Sequence, residues 1–147
     1  MRDLKLTGPL DEHTELPTYT KPINGSLSID LKDLSTINSV GCRTWINWIK
    51  SINASDGIYL YNCPPQFISQ VSILFGFVPE GVIIQSFYVP YYCDSCGAEE
   101  FYKVEAGNSD YEKLKVPDNI ICPVCSASMH IDVVKEKFLA FWKKKSA

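Results

Sequence analysis

The sequence predicts an α/β fold with a mixed, largely parallel sheet flanked by helices, followed by a small C-terminal module built around a metal. Up to about residue 90, short strand-like segments alternate with two helical patterns in the order β-α-β-α-β, which is typical of parallel sheets. The last third contains two Cys-x-x-Cys pairs. With 46% hydrophobic residues in 147, the chain can bury a core. We therefore expect two units, residues 1–90 and 91–147.

The first strands are predicted from short alternations of apolar and polar residues. Residues 4–10 alternate weakly and include Gly8-Pro9 near their end. Residues 11–25 are polar and interrupted by two prolines, so at most one helical turn fits there. Residues 27–31 alternate clearly between turn residues, which predicts a second strand.

The first helix is predicted after residue 38. Five apolar residues there fall on one helical face: Cys42, Trp45, Ile46, Ile49 and Ile52. Ser39 occupies the position of an N-cap, where its hydroxyl can accept a hydrogen bond from an early backbone N–H. The helix is predicted to end near residues 53–57, and residues 58–61 form the next strand.

The second helix is predicted to begin at Pro64-Pro65, because proline suits the first helical turn. Five apolar residues repeat at helical spacing: Phe67, Ile68, Val71, Leu74 and Phe75. Gly76 and Pro79 end the pattern. Residues 82–89 are predicted as one final strand of the first unit.

The second unit has weaker signals. Residues 101–104 and 129–133 are predicted as short strands, and residues 105–119 are polar and rich in turn residues. Residues 134–145 are predicted as a helix with Phe138, Leu139 and Trp142 on one side.

The two Cys-x-x-Cys pairs, Cys93/Cys96 and Cys122/Cys125, predict a zinc ribbon with a structural Zn²⁺ ion, because each turn presents two thiolates to one tetrahedral ion. Four thiolates close the site and leave no position for substrate. Redox-active pairs or disulfides are the alternatives, and iron also binds four thiolates. His130 is interpreted as a surface or neighbouring residue.

Composition argues against several classes of protein. Net charge is −3, and residues 91–147 carry 8 Lys/Arg against 9 Asp/Glu, so a basic nucleic-acid surface is not expected. No apolar run is long enough for a membrane helix, and the first residues do not resemble a signal peptide. A cytoplasmic location is therefore expected, where paired cysteines favour metal over disulfide.

Two motifs carry a resemblance to a known family. Residues 6–11 read Leu-Thr-Gly-Pro-Leu-Asp, and residues 38–41 read Asn-Ser-Val-Gly between a predicted strand and helix. Together with the order of elements over residues 4–89, they resemble the STAS domain of bacterial anti-sigma-factor antagonists. The extended pattern from Asn38 to Trp45, followed by Pro-Tyr-Tyr-Cys, is similar to bacterial STAS-like proteins with an attached zinc ribbon.

The resemblance implies a regulatory, non-enzymatic module that binds a protein partner, such as an anti-sigma-type kinase. It implies that Ser39 is a phosphoacceptor and that Asn38, Ser39, Gly41 and Arg43 belong to the partner-binding surface. The family has an acidic residue before this serine, whereas this chain has Asn38. An ordinary helix cap is the simpler interpretation of Ser39.

The sequence suggests three other functions. A nucleic-acid-binding or scaffold role for the zinc ribbon is the alternative function. An enzyme is not expected, because the chain has two histidines, no phosphate-binding glycine loop and no nucleophile–base motif. A homodimer is the third, since Trp48 and the aromatic residues at 87–88, 91–92 and 101–102 could form a self-association patch. Packing between the two units is the competing interpretation of these aromatic residues.

Overall fold

The computed structural model describes residues 2–107 and 109–146. In that part of the chain, the strands form two four-stranded sheets, one parallel and one antiparallel. The predicted α/β class is therefore confirmed. The first sheet and its helices comprise β1 (Arg2–Leu10), β2 (Leu27–Ile37), α1 (Ser39–Ser51), β3 (Ile58–Tyr61), α2 (Pro65–Ile73) and β4 (Val82–Ile84).

The second sheet is built from the later strands, and two short helices follow it. These elements are β5 (Ser86–Tyr92), β6 (Glu99–Glu105), β7 (Asn119–Ile121), β8 (Ser128–Ile131), α3 (Lys135–Phe138) and α4 (Ala140–Ser146). A 3₁₀ turn at Tyr111–Lys113 lies between β6 and β7. The strand order is β6-β5-β8-β7, with every pair antiparallel.

The parallel sheet has the strand order β1-β2-β3-β4, which is also the chain order. Right-handed crossovers that all advance in one direction place α1 and α2 on the same face of this sheet. The side chains of that inner face are buried, among them Leu27, Ile29 and Leu60, each 0% exposed. The opposite, outer face carries alternating residues of β1 to β3: Asp3, Lys5, Ser28, Asp30, Tyr59 and Tyr61.

The two sheets share one hydrophobic core. The buried apolar residues form a single cluster that extends from Leu6 in β1 to Trp142 in α4. The ring of Phe87 in β5 stacks on Trp142 with centroids 4.6 Å apart, and Ser72 of α2 donates to the backbone oxygen of Phe138, 2.7 Å away. The C-terminal helices therefore tie the antiparallel sheet to α2.

The prediction of one strand over residues 82–89 was wrong. The segment divides at Gln85: β4 pairs with β3 in the parallel sheet, and β5 pairs with β6 and β8. Gln85 itself donates to Leu60 and accepts from Ala106, so it links both sheets. The only sign of the switch in the sequence is the polar pair Gln85-Ser86, and two polar residues between apolar ones do not by themselves end a strand. Strand β5 runs across residue 90, and the boundary between units placed there stays a prediction.

Two predicted helices differ in extent. Helix α2 ends at Ile73, so Phe75 lies beyond it and is fully exposed instead of facing the core. The predicted helix over 134–145 is interrupted at Leu139, which divides it into α3 and α4. Helix α3 accepts a hydrogen bond from α2 at the backbone oxygen of Phe138, and α4 stacks Trp142 on Phe87. The chain leaves the helical conformation before Gly76, whose φ is 80°, and at Leu139 contacts with α2 and Phe87 accompany the break.

Candidate functional site

The four paired cysteines lie at the tips of two hairpins. Cys93 and Cys96 form the turn between β5 and β6, and Cys122 and Cys125 form the turn between β7 and β8. Strand β5 pairs with β8, with Tyr92 opposite His130, so the two tips meet. The strand pairing, rather than the 25-residue linker, therefore brings the cysteines together.

The cysteine cluster has the dimensions of a four-thiolate metal site. The four Sγ atoms all lie within 4.8 Å of one another. The Sγ atoms of Cys93 and Cys125 are 3.6 Å apart, as are those of Cys96 and Cys122. A tetrahedral ion with ligand distances of about 2.3 Å separates its sulfurs by roughly 3.8 Å. These four residues could therefore hold a metal ion.

The two cysteine turns (residues 93–98 and 122–127) have the same backbone geometry. The N–H of Gly97 donates to the oxygen of Cys93 (2.8 Å), and the N–H of Ser126 donates to the oxygen of Cys122 (2.9 Å). Gly97 and Ser126 both have positive φ, 77° and 65°. This conformation folds the backbone beneath the sulfurs, and a serine accepts it only with strain.

The backbone also favours thiolate at one ligand. The N–H of Cys125, together with that of Val124, lowers the pKa of the Cys122 thiol to about 7, whereas the neighbouring thiols raise the pKa of Cys96 and Cys125. A thiolate is the form that binds metal, so Cys122 is the ligand best prepared for a cation.

His130 lies beside the cluster. Its Nδ1 is 2.8 Å from Oδ1 of Asn119, and its Nε2 is 3.5 Å from Oδ2 of Asp94. These contacts place the exposed ring next to the first cysteine turn. The ring does not belong to the four-sulfur group.

The other two cysteines are core residues. Cys42 is 7% exposed and Cys63 is 0% exposed. Burial raises the pKa of both thiols. They therefore remain protonated at neutral pH and behave as small apolar side chains.

The predicted serine site consists of the N-cap and first turn of α1, residues 38–43, which we call the serine turn. It begins at the carboxyl end of β2. Asn38, Ser39 and Arg43 are exposed, whereas Gly41 is buried. The turn contacts the end of β1, since the N–H of Asn38 donates to the oxygen of Leu10, 3.1 Å away. Three of the four residues proposed for this surface are therefore exposed, and Gly41 is not.

The expected N-cap role of Ser39 was wrong, because Asn38 caps α1 instead. The Asn38 Oδ1 atom accepts from the N–H of Gly41 at 2.8 Å, and Ser39 is the first helical residue. Both residue types suit a cap. The backbone decides between them, since Asn38 is extended with φ −104° and ψ 179°. The Ser39 hydroxyl is therefore not used as the cap.

Gly41 sets the distance between the helix and β1. A Cβ atom on Gly41 would lie 1.9 Å from the oxygen of Leu10. That is far inside contact distance, so only glycine allows this approach. Gly41 positions the serine turn and is too buried to contact a partner itself.

The side chain of Glu12 completes the serine turn, and the sequence pattern did not reveal it. Its Oε2 atom accepts from Nδ2 of Asn38, 2.9 Å away. Its own backbone N–H and the Asn38 amide both lower the pKa of Glu12. The pair is separated by 26 residues, and only the alignment of β1 beside β2 brings it together.

The chain shows no significant match to models of known protein families, to curated proteins or to solved structures. The resemblance to the STAS family therefore depends on the short motifs and the order of elements. No helix in residues 2–107 and 109–146 is long and apolar enough to cross a membrane.

The predicted aromatic patch is divided in the structure. Trp48 lies on α1 and donates to the oxygen of Pro17, 2.7 Å away, so it packs on the loop after β1 and not near the cysteine module. Phe87 and Tyr91 are buried, whereas Phe101 remains 54% exposed. Packing therefore accounts for some members only, and self-association stays a prediction.

Proposed function

We propose that this protein is a non-enzymatic bacterial regulatory module that binds a protein partner through the serine turn. The proposal is supported chiefly by the exposed and rigidly held conformation of residues 38–43. Asn38 bonds to Leu10, Gly41 and Glu12, and these bonds fix the turn without using the Ser39 hydroxyl. A preorganised exposed turn loses little conformational freedom on binding.

The position of Ser39 suits a phosphorylation switch. The residue is exposed at the first position of α1, where backbone N–H groups lack intrahelical acceptors and the helix dipole favours negative charge. A phosphate on Ser39 would place up to two negative charges against any partner surface docked there. Arg43, exposed one turn further along the helix, is the cationic group of the same surface.

The lack of an acidic residue at position 38 is partly offset by Glu12. The STAS-like pattern expects an acidic residue just before the serine, and here the Glu12 carboxylate lies 2.9 Å from the Asn38 amide. A negative charge is thus present beside the turn, although it comes from the loop after β1. We propose that a kinase or another regulator recognises the Glu12 carboxylate together with Ser39.

We propose that the ion of the cysteine cluster is Zn²⁺ and that its role is structural. Four cysteines at these separations match a closed tetrahedral site, which has no open position for catalysis. Such an ion contributes about 10 kcal/mol or more to the folding of a small module. A reducing compartment such as the cytoplasm would keep the ligands as thiols.

Affinity capture from the source cell tests the partner-binding proposal. The wild type is compared with Ser39→Asp, which adds charge at the turn, and with Arg43→Ala. Asn47→Asp is the matched control, because it adds the same charge to an exposed position further along α1. We expect a specific partner to be lost with Ser39→Asp and Arg43→Ala and retained with Asn47→Asp.

A partner set that is the same for all four proteins, or no partner at all, would count against the proposal. Phosphate detected on Ser39 in protein purified from that cell would support the switch directly. Capture that requires nucleic acid, shown by its loss after nuclease treatment, would favour the alternative role of the zinc ribbon.

Metal analysis tests the second part of the proposal. We expect about one equivalent of zinc per chain in freshly purified protein. Cys125→Ser, which removes an exposed ligand without altering the core, should lose most of it. Stoichiometric iron, or none of either metal, would overturn the zinc assignment.

A further inference from the structure

The outer face of the parallel sheet contains a second polar site, away from both the cysteines and the serine turn. A concavity of about 530 Å³ lies across β1, β2 and the end of β3. The residues that matter for its chemistry are Asp3, Lys5, Ser28, Asp30, Tyr61 and Asn62. The parallel register places Asp3 beside Ser28 and Lys5 beside Asp30, with Tyr61 on the far side of Asp30.

Two buried polar atoms of this concavity have no hydrogen-bond partner among the described residues: Ser28 Oγ and Asn62 Oδ1. Ser28 is 9% exposed, so its hydroxyl is cut off from bulk water. Unpaired buried polar groups are rare in folded proteins because each costs about 1–3 kcal/mol. Both atoms belong to residues that line one concavity, where a ligand that displaces neighbouring side chains would complete their bonding.

The orientation of the Asn62 amide is fixed by Asp30. The Asn62 Nδ2 atom donates to Oδ1 of Asp30 at 3.1 Å. Turning the amide over would set two acceptor oxygens against each other, so Oδ1 is the unpaired atom. The backbone N–H of Asn62 is held by Oγ of Ser86 at 2.8 Å, in a left-handed conformation with φ 57°. The unpaired Oδ1 atom of Asn62 is therefore held in a fixed orientation as a hydrogen-bond acceptor.

The charges of the site favour a cation. Asp3 and Asp30 each carry a negative charge, and the charge of Lys5 is directed to Asp33, with Nζ and Oδ2 2.8 Å apart. The remaining functional atoms are the acceptor of Asn62, the hydroxyl of Ser28 and the ring of Tyr61. Carboxylate and amide oxygens accept hydrogen bonds, and an aromatic face attracts organic cations.

We propose that this concavity binds a small organic cation whose N–H groups donate hydrogen bonds, an ammonium or guanidinium compound. The volume of about 530 Å³ exceeds what a bare metal ion requires and is within the range of small-molecule sites. Asp30 and Asn62 accept from the cation, Ser28 bonds to it, and Tyr61 forms an apolar wall.

The test is a titration of ¹⁵N-labelled full-length protein, followed by the amide NMR signals. The probes are 1,4-diaminobutane and methylguanidinium, which distinguish an ammonium ligand from a guanidinium ligand. Tetramethylammonium carries the same charge as methylguanidinium but donates no hydrogen bond, and Mg²⁺ tests the metal alternative. We expect saturable shifts in β1, β2 and the end of β3 with at least one donor probe, at a Kd of about 1 mM or below.

Two variants tie the binding to the named atoms. Asp30→Asn should weaken binding at least about tenfold, because a charge-assisted hydrogen bond is lost. Asp132→Asn, an exposed aspartate just after β8, is the matched control and should leave it unchanged. Ser28→Ala should weaken binding while leaving the midpoint of thermal unfolding of the free protein unchanged or raised, since it removes an unpaired buried hydroxyl.

The binding and unfolding measurements on Ser28→Ala together distinguish a ligand site from a structural role of Ser28. If Ser28 served folding, Ser28→Ala would lower the unfolding midpoint and leave binding alone, which would overturn the proposal. No saturable shift with either donor up to about 50 mM would also overturn it. So would tighter binding of Mg²⁺ at the same amides, or tetramethylammonium binding as strongly as methylguanidinium.

Discussion

At the scale of single residues, Asn38 connects three parts of the chain. Its backbone N–H bonds to Leu10 at the end of β1, its Oδ1 caps α1 at Gly41, and its Nδ2 bonds to Glu12. The serine turn therefore depends on a residue that the family pattern would replace with an acid. An aspartate there could cap the helix but could not donate to Glu12.

Asn38→Ala should lower the free energy of unfolding by about 1 kcal/mol, the usual value of a lost N-cap. Ser39→Ala is the control and should change it by less than about 0.5 kcal/mol, since the Ser39 hydroxyl is not the cap. Urea unfolding of the three proteins measures both. Equal losses for the two variants would contradict the assignment of the cap.

Loss of Asn38 should also alter the titration of Glu12. The pKa of Glu12 lies below its ordinary value because of its own backbone N–H and then the Asn38 amide. A lowered folded-state pKa stabilises the protein above the ordinary pKa, and this effect disappears as the pH falls through the lowered pKa. In Asn38→Ala we expect the pKa of Glu12 to rise toward its ordinary value, measured by NMR of the side-chain carboxyl carbon. Ser39→Ala should leave it in place.

Gly41→Ala should be the most damaging substitution in the serine turn. The added Cβ would meet the Leu10 oxygen at 1.9 Å, so α1 must move away from β1. We expect a loss of more than about 3 kcal/mol or failure to fold, measured by thermal unfolding and expression. The neighbouring exposed Val40→Ala should be close to neutral. A Gly41→Ala protein as stable as wild type would show that α1 and β1 are not in this close contact.

At the scale of elements, the candidate metal site consists of two hairpins with matching turns. The turn containing Gly97 has a residue suited to positive φ, whereas Ser126 adopts the same conformation with a side chain. Nothing lies within 4 Å of the position that a Cβ on Gly97 would take, so the difference between the turns is one of backbone strain. The second turn therefore carries the greater strain.

Reciprocal substitutions measure that strain. Gly97→Ser should destabilise the metal-bound protein by about 1 kcal/mol, because it introduces the left-handed conformation at a non-glycine residue. Ser126→Gly should be neutral or slightly stabilising, since relief of strain is offset by the greater freedom of glycine in the unfolded chain. Thermal unfolding in excess zinc checks both changes. A larger loss for Ser126→Gly than for Gly97→Ser would contradict the backbone argument.

At the scale of the whole molecule, the two sheets share one core and should unfold together. Trp142 is 1% exposed and stacks on Phe87, which joins the C-terminal helices to β5. Cys93 and Cys122 belong to the same buried cluster as the parallel sheet. A metal ion held by the four cysteines would therefore be coupled to the packing of the parallel sheet.

Trp142→Ala should lower the free energy of unfolding by about 3–5 kcal/mol, as for other large aromatic residues in a core. Hydrogen exchange should accelerate in both β2 and β5, because the core is continuous. Phe101→Ala, an exposed aromatic residue on the antiparallel sheet, is the control and should have little effect. Faster exchange confined to β5–β8 would mean that the sheets unfold separately.

Much of the fold could be predicted because its signals are local. The alternation at residues 27–31, the apolar stripe of α1 and the Pro64-Pro65 start of α2 all depend on neighbouring residues. The division at Gln85 could not be predicted, because Gln85-Ser86 is a short polar interruption, and the apolar residues on either side have the same pattern whichever sheet buries them. The interruption at Leu139 likewise depends on contacts with α2 and Phe87.

The sequence by itself determined the four candidate metal ligands, since two Cys-x-x-Cys pairs specify their chemistry regardless of the linker between them. It also identified the exposed turn at Ser39. Only the tertiary structure decided that Asn38 rather than Ser39 caps α1, that Glu12 joins the turn and that Ser28 and Asn62 share a concavity. Glu12 and Asn38 are 26 positions apart in the sequence, and Ser28 and Asn62 are 34 apart. The choice of cap depends on the extended backbone of Asn38. The physical reason is that parallel strands create neighbours from distant segments, which local patterns do not encode.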